Sequence, residues 1–173
     1  MHDINVPMIF YLFNKIDSNS ARDVVEWIIN ANIADVRPEY LTLIICSDGG
    51  ELASAFAIID MMNSSNIPIR TIAIGEVQSS AFMIFMAGEK GNRMIKPNTS
   101  VLSHRFSAGS EGKFHDLTAQ HKEFELLNER MITHYIKCTG KNRKFVEQFL
   151  LPHSDVYLTA DEAVKLHCAD KVG

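Results

Sequence analysis

Three short runs of this chain are predominantly apolar: Met8 to Phe13 (MIFYLF), Leu41 to Cys46 (LTLIIC) and Ile69 to Ile74 (IRTIAI). Each has the length of a strand, and none shows the clean polar alternation of a half-exposed antiparallel strand. Helical patterns lie between them. Asp17 and Ser18 supply N-cap candidates for an amphipathic helix carrying Val24, Val25, Ile28 and Ile29, and a second helix presents Phe56, Ile59 and Met62 on one face. Buried strands joined by helices predict an α/β fold with a mostly parallel sheet covered on both faces. Ser47-Asp48-Gly49-Gly50 closes the second strand, and Gly75 is expected to close the third.

The pattern changes after residue 100. Val101 to His104 reads as a short strand, and Ser107 to Gly112 is small and polar. A long helix is predicted from Phe114 to Cys138, where Phe124, Leu127, Met131, Tyr135 and Cys138 recur three or four residues apart. Thr159-Ala160-Asp161-Glu162 fits a capping box that opens a last short helix. With 173 residues and no repeat or linker, the chain reads as one domain with a helical arm over about 107–138.

Composition removes several classes of function. Lys+Arg 17 against Asp+Glu 21 leaves no basic excess for a phosphate backbone, so no nucleic-acid partner is expected. The three cysteines, Cys46, Cys138 and Cys168, are far apart and form no CxxC pair, which argues against a disulfide or zinc framework. The most apolar run, Ala81 to Gly88, is far shorter than the roughly 20 residues that span a bilayer. No secretory leader pattern opens the chain, and a cytoplasmic location is expected. His2, His115, His121, His134, His153 and His167 lack metal-ligand spacing and read as surface or interface residues; neither a metal nor a cofactor is expected.

Three places could carry chemistry. Gly49-Gly50 after a buried strand is either a plain turn or a place where backbone N–H groups point into a cavity. Ser79, within Gln78-Ser79-Ser80-Ala81, is either an N-cap or a nucleophile where α/β folds place ligands; the segment is not the GxSxG elbow. His104, at the end of a strand, is either a packed histidine or a general base.

The order of these features resembles the ClpP family of serine peptidases. That family carries a pattern close to NSPGG, then GQAASMGAF, AAGxKGxR and a strand ending in His. The matching stretches are Cys46-Ser47-Asp48-Gly49-Gly50, Gly75-Glu76-Val77-Gln78-Ser79-Ser80-Ala81-Phe82, Ala87-Gly88-Glu89-Lys90-Gly91-Asn92-Arg93 and Leu102-Ser103-His104. The gaps between Gly50, Ser79 and His104 need no insertion, and Tyr157 to Val164 is similar to the family's FLSAxEA segment. The resemblance implies a ClpP/crotonase-like fold and a serine endopeptidase acting on peptides or unfolded proteins. It implies Ser79 as nucleophile, His104 as base and Asp155 as the triad acid. The backbone N–H groups of Gly50 and Ser80 would form the oxyanion hole. An extended substrate would lie between Glu51-Leu52-Ala53 and the stretch from Ser107 to Lys113, which includes Ser110, Glu111 and Gly112. The implied assembly is a homo-oligomeric ring, a heptamer or two stacked as a tetradecamer, with its handle over about 107–138.

Several positions depart from the family pattern. Asp48 stands for Pro, Ser80-Ala81 for Met-Gly, Phe106 for Pro after the histidine, Ser154 for a basic residue and His167 for a glycine. Met1 to Val6 reaches only about 20 Å when extended, too short for the family's axial loop and first helix. The expectation is an open pore, unstructured substrates and weak coupling to an AAA+ unfoldase. Three other readings remain: a catalytically weak ring subunit, a crotonase-type acyl-CoA enzyme, and a Ser-Lys peptidase, the last disfavoured because Lys90 falls three turns along the helix after Ser79.

Overall fold

The computed structural model describes residues 8–107, 109, 111 and 113–173. In chain order the elements are β1 (Ile9–Leu12), α1 (Ser18–Ile33), β2 (Leu41–Ser47), α2 (Leu52–Ser64), β3 (Ile69–Gln78), α3 (Ser80–Met86), β4 (Arg93–Ile95) and β5 (Ser100–Ser103). Then follow α4 (Phe114–Thr139), α5 (Arg143–Phe145) running into a π-helical turn (Val146–Leu150), β6 (Val156–Leu158), α6 (Ala160–Lys165) and β7 (Lys171–Val172). The sheet order is β1-β2-β3-β4-β7, with β5 beside the far half of β3 and β6 beside β5. Every pairing is parallel except β5–β6.

Local chemistry accounts for the element ends. Asp17 caps α1 by accepting the Asn19 and Ser20 N–H groups, each at 2.9 Å, while Ser20 Oγ accepts the Asp17 N–H. Thr159 and Glu162 make the predicted reciprocal box at α6. Helix α4 ends one residue past the predicted Cys138, at a left-handed Gly140. Trp27 of α1 packs on Phe10 of β1 with ring centroids 5.3 Å apart, seating the helix on the sheet.

Gly75 does not close the third strand. It sits at φ +61 within β3, where the register against β2 shifts between Ile45↔Ala73 and Ser47↔Val77. This bulge lets one strand serve two neighbours, because residues 71–73 pair with β4 and residues 76–78 with β5. It also carries β3 forward to the place where Ser79 stands.

Among the described residues, helices cover one face of the sheet and leave the other open. Leu43, Ile45, Ala73 and Ile95 are fully buried beneath helices. The alternate residues Tyr11, Ile44, Ile72 and Met94 lie in one row across four strands, and each is half-buried or exposed. The apolar character of these strands therefore leaves an apolar face on which, among the described residues, no helix packs.

An ionic clip ties the C-terminus to this frame. Arg93 is 3% exposed and pairs with Asp170 at 2.6 Å. Its remaining donors reach the Cys138 and His167 carbonyls at 3.0 and 3.2 Å, so β4, α4 and the end of α6 meet at one side chain. Burial alone would raise the Asp170 pKa. The hydrogen bonds and charge of Arg93 outweigh it and hold the carboxyl below its usual range. His167 holds φ +66 directly after α6, a left-handed position that costs a non-glycine residue about 1 kcal/mol.

Candidate active site

Ser79 connects the end of β3 to the start of α3. Its backbone is at φ 55, ψ −125, a region few L-residues occupy, and its N–H is anchored to the Leu102 carbonyl at 2.8 Å. It occupies the N-cap position, yet its side chain caps no helix N–H. The hydroxyl is instead turned to His104, with Oγ 2.8 Å from Nε2. His104 follows β5, whose pairing with β3 fixes the distance between the two residues.

On the other side of the imidazole, Nδ1 lies 3.6 Å from Asp155 Oδ1, beyond hydrogen-bond range. The His104 side chain is 24% exposed and the Asp155 side chain 58%. Asp155 precedes β6, which is antiparallel to β5 and so returns the chain to His104.

Gly49 lies against Ser79, and Gly50 lies against Ile16. A Cβ on Gly49 would stand 2.7 Å from the Gln78 carbonyl and 2.9 Å from Ser79 Cβ, and one on Gly50 would overlap the Ile16 carbonyl. Only glycine fits at either place. The Gly49 carbonyl and the Glu51 N–H are both taken by Ile16. This leaves the Gly50 N–H without a partner among the described residues, as is the Ser80 N–H at the first turn of α3. The Ser80 hydroxyl is buried and likewise unpartnered among the described residues.

Ser79 and His104 open onto a groove of about 1410 Å³ between α2 and α4. Glu51, Leu52 and Ala53 line it near Ser79, and Phe56, Phe106 and Phe124 supply its apolar walls. Phe106 and Phe124 meet edge to face at 6.2 Å, joining the segment after His104 to the long helix. Asp48 also lines the groove. Glu111 is described but lies off this lining, while Ser110, Gly112 and the N-terminal residues Met1 to Val6 fall outside the described residues. Lys90 is not on the helix that follows Ser79: α3 ends at Met86 and Lys90 lies in the turn beyond, off the groove lining. Among the described residues no cluster of three metal-ligating side chains occurs, and no helix is long and apolar enough to cross a membrane.

Sequence patterns missed a polar network behind this site. His134 is a buried residue, not a surface one: its Nε2–H donates to the Met83 carbonyl at 2.8 Å, tying α4 to the helix that Ser79 begins. Burial pushes its pKa down to about 4, against a partial offset from that hydrogen bond, so the ring is neutral at pH 7. The next residue, Tyr135, meets Ser103 Oγ at 2.9 Å. The Ser103 hydroxyl donates to the Leu150 carbonyl at 2.6 Å. Buried polar side chains within an apolar stripe were the available signal, since each demands a partner.

Comparison with known proteins gives one answer along the chain. The family described as Clp protease matches residues 3–173. The ATP-dependent Clp protease proteolytic subunit of Deinococcus radiodurans is 29% identical over 164 residues, covering 95% of this chain and 79% of that protein. Proteolytic subunit 1 of Corynebacterium diphtheriae is 32% identical, with 95% and 78% covered. The subunit 1 of Corynebacterium glutamicum is 30% identical over the same shares, 95% and 78%.

Proposed function

As the chain belongs to the Clp protease family, we propose that it is a serine endopeptidase cleaving peptides and unfolded proteins, with Ser79, His104 and Asp155 as its triad. The observation that carries this is the 2.8 Å approach of His104 Nε2 to a Ser79 hydroxyl held on a strained turn at the groove floor. A serine hydroxyl is a weak nucleophile until a neutral imidazole takes its proton. Nε2 accepts that proton as Oγ attacks the scissile carbonyl, and then delivers it to the leaving amine. A water molecule repeats the sequence on the acyl-enzyme. The Nδ1–H faces Asp155, which steadies the imidazolium once the carboxylate closes from 3.6 Å. The free N–H groups of Gly50 and Ser80 receive the oxyanion, and each such donor contributes about 3 kcal/mol.

An extended substrate lies between Glu51-Leu52-Ala53 and the segment after Phe106, paired through its main chain and therefore read with low sequence specificity. The chain works as a homo-oligomeric ring, a heptamer that stacks as a tetradecamer. Exposed apolar residues support this assembly: Leu126 on α4 is 43% exposed and Tyr11 on the uncovered sheet face 61%.

The test is covalent. A fluorophosphonate should label the purified protein on the peptide containing Ser79, and Ser79→Ala should lose both the label and hydrolysis of short fluorogenic peptides. Retained hydrolysis in Ser79→Ala would sink the assignment. An unlabelled, inactive but ring-forming protein would identify a structural subunit. Sedimentation as a monomer at micromolar concentration would remove the ring.

A further inference from the structure

Asp155 makes no hydrogen bond among the described residues, and its carboxylate is 58% exposed. Its position beside His104 is thus set by what anchors its loop rather than by contacts of its own. The anchors lie on both neighbours of His104. Ser103 Oγ donates to the Leu150 carbonyl at 2.6 Å, and Arg105 Nε donates to the Leu151 carbonyl at 2.8 Å. On the far side of the loop, Val156 pairs with Ser103 in the β5–β6 ladder. The loop 152–155 is therefore pinned at both ends to the residues that flank the imidazole. Tyr135 holds Ser103 from behind.

We propose that Arg105 is a positioning residue that presents Asp155 to His104 Nδ1, an inference that rests on the triad reading. Among the described residues Arg105 has no carboxylate partner, and its Nε–H donates to the Leu151 carbonyl. A half-buried guanidinium directs its Nε–H to a neutral carbonyl four residues before the acid. Only that donor is needed, so the charge is incidental and the position of the N–H is what matters. Glutamine places an amide nitrogen at the same point along the side chain as Nε, whereas methionine has similar length and no donor.

The experiment is a mutant cycle on peptide hydrolysis with Arg105→Met, Arg105→Gln, Asp155→Asn and the Arg105→Met/Asp155→Asn double variant. Arg105→Met should lower kcat about 10- to 100-fold with KM within about twofold, the loss expected when a catalytic group is misplaced by roughly 1 Å. Arg105→Gln should recover most of it. With Asp155 already replaced, Arg105→Met should cost less than about twofold, because it acts through a carboxylate no longer present. Melting temperatures identify the folded variants. Arg105→Ala, which lets water reach the Leu151 carbonyl, serves as a second variant in the same cycle. An undiminished penalty in the Asp155→Asn background, an unchanged kcat in Arg105→Met, or a failed rescue by glutamine would overturn the proposal. Wild-type activity in Asp155→Asn would instead refute the triad on which it rests.

Discussion

His134 should make this protein acid-labile well above the range where carboxylates titrate. Its pKa falls from 6.5 to about 4 because the buried ring disfavours its charged form. A depressed folded-state pKa means that the unfolded chain binds the proton first, so stability is full above pH 6.5 and is lost as pH falls toward 4. For that shift the penalty is about 0.2 kcal/mol at pH 7 and about 2 kcal/mol at pH 5. His134→Leu isolates the effect. The Met83 carbonyl still accepts the Ala87 N–H at 3.2 Å, so the substitution orphans no acceptor. At pH 7 the variant should lie within about 1 kcal/mol of wild type. Urea unfolding at one protein concentration, at pH 7, 6 and 5, gives the difference between the two proteins, and groups common to both cancel. That difference should move by about 2 kcal/mol in favour of leucine between pH 7 and pH 5. A flat difference would mean that His134 gains its proton as readily in the folded protein as in the unfolded one, and the buried neutral imidazole would be wrong.

Two further expectations concern single side chains. Ser79→Gly should remove the backbone strain at φ 55 and raise unfolding stability by up to about 1 kcal/mol while abolishing peptide hydrolysis; a destabilised variant would show that the turn is not strained. Asp170→Asn should cost about 3 kcal/mol in urea unfolding by leaving Arg93 buried without its counter-charge. Because the Asp170 pKa is lowered in the fold, the wild-type advantage should persist above pH 3.8 and shrink as pH drops below it; an advantage independent of acid would exclude the ion pair as its source.

The parts of the fold legible in the sequence are those set by neighbours along the chain. Asp17 and Thr159 announced their helices because a cap is chosen within four residues. Gly75 misled because a glycine after an apolar run marks a strand end and a bulge equally well; only the β2 and β5 partners distinguish them. Coverage of the sheet misled for a related reason. Ile44 and Ile72 look as buried in sequence as Leu43 and Ala73, and what covers an apolar face is not written in its own strand.

The candidate site was legible through the order of Gly49-Gly50, Ser79, His104 and Asp155, whereas its conformation was not. Serine at a helix start ordinarily spends its oxygen on a helix N–H. Here the positive φ turns that oxygen away from the helix and toward His104, and such a dihedral can persist only if surrounding contacts enforce it. Those contacts are the Leu102 carbonyl on the Ser79 N–H, Gly49 close beside its Cβ, and His134 holding the first turn of α3 through Met83. The same division holds around the imidazole: His104 is named by its place after β5, while the residues beside it fix how it is used. Ser103 and Arg105 stand in a stretch that reads as an ordinary strand end, yet both send their donors to the loop that carries Asp155. The reacting groups are thus recoverable from spacing alone, and the geometry that makes them react is held by polar side chains whose partners lie 45 residues or more away.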